Sequence, residues 1–140
     1  MSQFFKVNVS VVIFKENKIL VQKRSVNEEV FPGLWGIPGG TLETSDKTLD
    51  AALDREVMEE VGIKIKDPAL YANNTVEKEE YGNLYLVYYA DYASGDAKAL
   101  EDTEEVRWAD LDSIKQLEFT PTTKETIKLA YSRRNNRNRI

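Results

Sequence analysis

Residues Gly39 to Ile63 read GGTLETSDKTLDAALDREVMEEVGI, and within them Arg55-Glu56-Val57-Met58-Glu59-Glu60-Val61-Gly62 sets three glutamates at i, i+3 and i+4. At 100° per residue, a helix carries Glu56, Glu59 and Glu60 inside an arc of about 100°. Like charges at those spacings repel, by roughly 0.2–0.5 kcal/mol per pair. A hard divalent cation bound through oxygens turns that repulsion into attraction. Without one, the same pattern is an acidic helix face turned to solvent.

The flanks favour a site. Thr48 is placed to cap a helix, and Asp50 suits its first turn. Ala51, Leu53, Val57, Met58 and Val61 form an apolar stripe able to dock on a sheet. Arg55 stands four residues before Glu59, at pairing distance on a helix. Upstream, Trp35-Gly36-Ile37-Pro38-Gly39-Gly40 is a stiff loop whose adjacent glycines permit close approach of backbone or a positive φ.

Composition narrows the chemistry. With no histidine and no cysteine among 140 residues, zinc sites built on nitrogen or sulfur, thiol nucleophiles and histidine bases are excluded. Carboxylates, Lys, Arg, Tyr and hydroxyls remain, a set that suits Mg²⁺, Mn²⁺ or Ca²⁺. No run approaches 18 apolar residues, and Met1-Ser2-Gln3 opens no signal-peptide pattern. Membrane spanning and secretion are therefore disfavoured, and a reducing cytoplasm is the expected location. The net charge is −5, yet Arg133, Arg134, Arg137 and Arg139 crowd the C-terminus. The remaining 15 basic residues face 24 acidic ones. So acidic a body is a poor general binder of nucleic acid, and no stable nucleic-acid partner is expected.

Hydrophobic periodicity organises the rest. Residues 5–14 alternate as a strand, Glu16-Asn17-Lys18 turns, and residues 19–24 pair back. A polar loop ends at Pro32-Gly33. The helix spans about 48–61 and stops at Gly62. A short edge strand at Ile63 and Ile65, strands at 70–75, 84–92 and 105–108, and a helical turn at 111–117 follow. A last helix runs to about Ser132, with Pro121 at its first position and Thr120 as its cap. Residues 1–132 then form one domain, and residues 133–140 a basic tail expected to fray. The class is α/β, a mixed sheet layered between helices.

The Gly39–Ile63 stretch resembles the Nudix box. Arg55, Glu56, Val57, Glu59, Glu60, Gly62 and Ile63 stand at the fixed positions of its second half, and Leu34-Trp35-x-x-Pro38-Gly39-Gly40 is a typical lead-in. In the first half the pattern departs: Lys47 falls eight residues before Arg55 where the family has Glu, and Asp46 lies six after Gly40, so the segment holds one extra residue. We expect that residue to swing Lys47 to solvent and to give Asp46 the helix-start role.

The resemblance implies an α/β/α sandwich and a Mg²⁺-dependent hydrolase, with Mn²⁺ as a substitute, acting on a nucleoside diphosphate linked to another moiety. A nucleoside triphosphate is favoured. The alternatives are an ADP-ribose or nucleotide-sugar pyrophosphatase and a non-catalytic nucleotide or ADP-ribose sensor. By the same resemblance, Glu56, Glu59 and Glu60 are metal ligands, joined by a Gly39 or Gly40 carbonyl and by an acid from the 100–105 loop, Glu101 or Glu104. Glu56 or Glu59 contributes to proton acceptance, Glu104 is a candidate base, and Arg55 orients a glutamate. Lys23 and Arg24 are candidates for phosphate contact, Trp35 for base stacking or for packing under the loop, and Glu43 for an outer place near the metal. Homodimers are common in the family, and the chain's own oligomeric state stays open.

Overall fold

A computed structural model describes residues 4–137. Strand β1 (Phe5–Lys15) and strand β2 (Lys18–Arg24) form the expected hairpin, with Glu16 turning through a positive φ of 59°. Only the tip of that hairpin pairs: Phe14 with Ile19 and Lys15 with Lys18. Beyond it the two strands splay, and two short strands fill the gap. Strand β3 (Trp35–Gly36) pairs with Gln22 and Lys23, and strand β4 (Gly39–Thr41) pairs with Asn8, Val9 and Ser10. The Val11 amide donates to the Pro38 carbonyl at 3.0 Å, fastening the link between them. The glycine segment expected as a loop is thus a wedge within the sheet.

Strand β6 (Gly82–Ser94) runs parallel to β1, and strand β5 (Lys64–Glu77) lies antiparallel beyond it at one edge. The two separate strands expected at 63–65 and 70–75 are one bulged strand, with Asp67 at φ 55° in the irregularity between Lys66 and Ala69. Such bulges bend and twist a strand and blunt its edge. Strand β7 (Thr103–Ala109) completes the seven-stranded mixed sheet against β2.

Helix α1 (Leu49–Val61) covers one face. Because successive residues of β1 alternate, Val9, Val11 and Ile13 join Leu20, Leu53, Val57 and Val61 on that side, whereas Val12 and Phe14 join Val21, Trp35, Ile114 and Ile127 on the other. The second core is covered by helix α2 (Leu111–Gln116) and helix α3 (Thr123–Arg137). The architecture is the expected α/β/α sandwich. Among the described residues no helix is long and apolar enough to cross a membrane.

Three local expectations are corrected. Met58 is 41% exposed and Ala52 fully buried, so the buried stripe of α1 is turned toward 52, 53, 56 and 57. Helix α3 starts at Thr123, because Thr122 takes φ 67°, a left-handed conformation incompatible with helix. At its other end the helix continues to Arg137, since Arg134 donates to Asp91 at 3.2 Å and lies 4.5 Å over the Phe14 ring. Residues expected to fray are helical as far as 137, and the last part of that expectation, 138–140, lies outside the described residues.

Candidate active site

Helix α1 begins with Thr48 Oγ1 accepting from the Ala51 amide at 3.0 Å and ends at Gly62, whose φ of 70° and amide bonds to Val57 and Met58 carbonyls close the last turn. Both caps satisfy backbone groups that would otherwise be orphaned. The register they set turns Glu56 and Glu60 toward the splayed strands. Glu56 is 9% exposed, an unusual burial for a lone carboxylate, and it is paired.

Arg55 is the hub. It donates from Nε and Nη2 to the two Asp46 oxygens at 2.9 and 2.8 Å, a fork-to-fork pairing. Its Nη1 donates to Glu56 at 2.9 Å and to Glu59 at 3.2 Å, and lies 3.6 Å from Glu43. Nη2 also reaches the Thr41 carbonyl at 3.3 Å. The Arg55 hydrogen bonds, with help from the Glu43 amide, hold the Asp46 carboxyl down at about 2. Asp46 in turn leads the partners that push the Arg55 guanidinium above its usual range.

Asp46 therefore does not cap the helix as expected. Thr48 does, and the extra residue in the loop lets Asp46 reach back to Arg55 while Lys47 is exposed, as expected.

The glycines work by close approach. A Cβ on Gly40 would stand 2.5 Å from both Glu56 carboxylate oxygens, and one on Gly39 would meet the Val9 carbonyl and lie 2.8 Å from Ser10 Cα. Neither glycine is among the residues with positive φ. Glu60 completes the group: Gln22 Nε2 donates to its Oε1 at 2.7 Å and the Gly39 amide to its Oε2 at 3.2 Å. Burial foremost, and then the neighbouring Glu56, raise the Glu60 carboxyl well above the ordinary range, against the lowering effect of those two donors.

The other candidates divide. Glu101 is raised by partial desolvation and then by the charges of Glu59 and Glu56, so the 100–105 loop brings it into their field. Glu104 pairs instead with Lys23 at 3.9 Å. Arg24 donates to the Val30 carbonyl at 2.9 Å and pairs with Glu28 at 3.5 Å, bracing the 25–33 loop. Trp35 is 6% exposed beneath the Arg107 guanidinium, 4.8 Å from its ring, which is the packing alternative. Gln22 was not anticipated. Its signal is an amide at the inward position two residues after Leu20.

Four of these acids share Arg55, and among the described residues no three are grouped as a ready cation cage. The donor set nonetheless fits a hard divalent cation. Glu43, Asp46, Glu56 and Glu59 share one guanidinium, and Glu60 accepts from two neutral amides, those of Gln22 and Gly39. Every ligand offered is oxygen, and the negative charge exceeds what Arg55 compensates.

The NUDIX domain model matches residues 4–130. An ADP-ribose pyrophosphatase of Methanocaldococcus jannaschii is 34% identical over 116 residues, 81% of this chain and 66% of the relative's own length. The nucleoside triphosphatase NudI of an Enterobacter species is 27% identical over 85% of this chain and 92% of that protein. The solution structure of the E. coli ORF135 protein, 22% identical, superposes with a TM-score of 0.78 over 99% of this chain and 96% of the other. That likeness speaks to the fold. The matched domain spans nearly the whole chain and includes the Arg55 cluster, so the chain belongs to the Nudix hydrolase family.

Proposed function

We propose that the protein hydrolyses a phosphoric anhydride bond in a nucleoside diphosphate linked to another group, using a divalent cation, Mg²⁺ before Mn²⁺. The observation that carries this reading is that helix α1 sets three carboxylates beside the Gly39–Gly40 wedge, Glu56 and Glu59 on Arg55 and Glu60 on the Gly39 amide. Hydrolases of this family generally use divalent metals, which fits the oxygen-only site.

Glu56, Glu59 and Glu60 would hold the cation, with the Gly40 carbonyl and Glu101 completing the set. When bound, the cation supplies neutralisation of the pyrophosphate and a more acidic water. Arg55 holds Glu56 and Glu59 side by side, so one of them can accept the proton of the attacking water. The water oxygen bonds to phosphorus, and the bridging P–O bond breaks. Lys23, a third exposed and loosely paired with Glu104 at 3.9 Å, can exchange that partner for a phosphate. Arg24 braces the loop beside it, and Trp35 supports the wedge from below.

A nucleoside triphosphate is the favoured substrate, supported by the relative that matches almost end to end. ADP-ribose is the second reading, supported by the relative at 34% identity. A panel of nucleoside triphosphates, ADP-ribose and nucleotide sugars, each with Mg²⁺ and with Mn²⁺, tests both. Pyrophosphate release from a triphosphate supports the first reading, and AMP with ribose phosphate from ADP-ribose supports the second. Thermal stabilisation by ADP-ribose with no turnover of any compound would instead mark a sensor.

A further inference from the structure

Four acids of the cluster lean on Arg55, within 3.6 Å of its nitrogens. Glu60 is held differently, by the Gln22 amide on one oxygen and the Gly39 amide on the other. Gln22 sits where β2 is most firmly fixed, paired with Gly36 on one side and Val106 on the other. Leu20, two residues before it on the same face, is fully buried in the core beneath α1. An apolar residue would suit position 22 for folding. The glutamine instead leaves its Oε1 buried with no hydrogen-bond partner among the described residues. A buried carbonyl in that condition is destabilising, since its desolvation is not repaid.

We propose that Gln22 is a positioning residue for the divalent cation: its Nε2 aims the Glu60 carboxylate, and its Oε1 accepts a hydrogen bond from a water ligand of that cation. The inference rests on the metal-dependent reading above. A neutral amide suits the task because it orients Glu60 without cancelling its charge. A lysine or arginine at position 22 would compete with the cation for the same carboxylate. Outer-sphere groups of this kind tune metal affinity by about 10- to 100-fold.

The test is Mn²⁺ binding to the nucleotide-free protein, read from the electron paramagnetic resonance of free Mn²⁺. It compares wild type, Gln22→Met, Gln22→Leu, Glu60→Gln and the Gln22→Met/Glu60→Gln double variant. Gln22→Met, of similar shape but without donor or acceptor, should weaken Mn²⁺ binding about tenfold or more, with a metal-free melting temperature at or above that of wild type. Gln22→Leu should show the same loss and serves if the first variant folds poorly. In the Glu60→Gln background, Gln22→Met should add less than about a further twofold, because partners acting as a unit are not additive. Nucleotide KM at saturating metal should not move. Wild-type Mn²⁺ affinity in either Gln22 variant, or a full additive loss in the double variant, overturns the assignment of Gln22 alone. Wild type binding Mn²⁺ no better than Glu60→Gln overturns the metal-dependent reading, and this inference with it.

Discussion

Three glycines within five residues make an internally controlled experiment. Replacing Gly40 by alanine puts a Cβ 2.5 Å from both Glu56 oxygens, where ordinary contact begins at 3.4 Å. The carboxylate must therefore retreat by nearly an ångström, and its 2.9 Å bond to Arg55 cannot survive that shift unchanged. The obstacle is the end of a side chain, so the backbone need not move. Misplacement of about 1 Å can cost roughly 10²-fold in rate, or about 2.7 kcal/mol in the barrier. Gly40→Ala should thus fold with a melting temperature near that of wild type and turn over about a hundredfold more slowly. Gly39→Ala meets backbone at Val9 and Ser10 instead, which should separate β4 from β1 and cost about 1–3 kcal/mol of stability. Gly36→Ala finds its nearest atom, Thr120 Oγ1, at 3.8 Å and should leave both activity and stability unchanged. Steady-state hydrolysis with Mg²⁺ alongside thermal unfolding of the three variants separates these outcomes. Wild-type turnover in Gly40→Ala, or an equal loss in Gly36→Ala, would refute the close-approach argument.

Asp46→Asn removes a carboxylate held at about 2 against an ordinary 3.8. A lowered value means stabilisation that is present above about 3.8 and lost as pH falls toward 2, so thermal unfolding should show a melting deficit at pH 6 that closes by pH 2. Lys47→Glu changes an exposed side chain outside the cluster, and its hydrolysis rate should stay within about twofold of wild type, as for an ordinary surface substitution. Ile127→Ala empties a fully buried site under α3 and should cost about 2–5 kcal/mol in denaturant titration.

Local signals were the legible ones. The β1–β2 hairpin and α1 announce themselves by periodicity and by Thr48 and Gly62, whose capping chemistry needs no distant partner. Strands β3 and β4 are too short for any period. They exist because β1 and β2 splay and leave ladder groups for Trp35, Gly36 and Gly39–Thr41 to pair with. The extension of α3 to Arg137 likewise rests on tertiary contacts, the Arg134 stack on Phe14 and its bond to Asp91. At the site, the helix spacing brought Arg55 to Glu59 as expected, and the structure adds its bond to the adjacent Glu56. Asp46 was read as a cap because its reach back to Arg55 depends on the path of the extra loop residue. Gln22 was hidden because an inward amide within a strand resembles an ordinary polar position until its partner, 38 residues away, is seen.

The most direct test of the account is Glu60→Gln, measured for Mg²⁺-dependent hydrolysis and for stabilisation by Mg²⁺. The substitution keeps the shape of the side chain and deletes one charge of the cluster. Wild type should turn over nucleotide with Mg²⁺ and gain about 2.7 kcal/mol of stability at 100 times the dissociation constant. The variant should fold normally, lose at least about 10²-fold in turnover and gain much less from Mg²⁺. Near wild-type turnover, or equal stabilisation of both proteins by Mg²⁺, would contradict a cation held at Glu60.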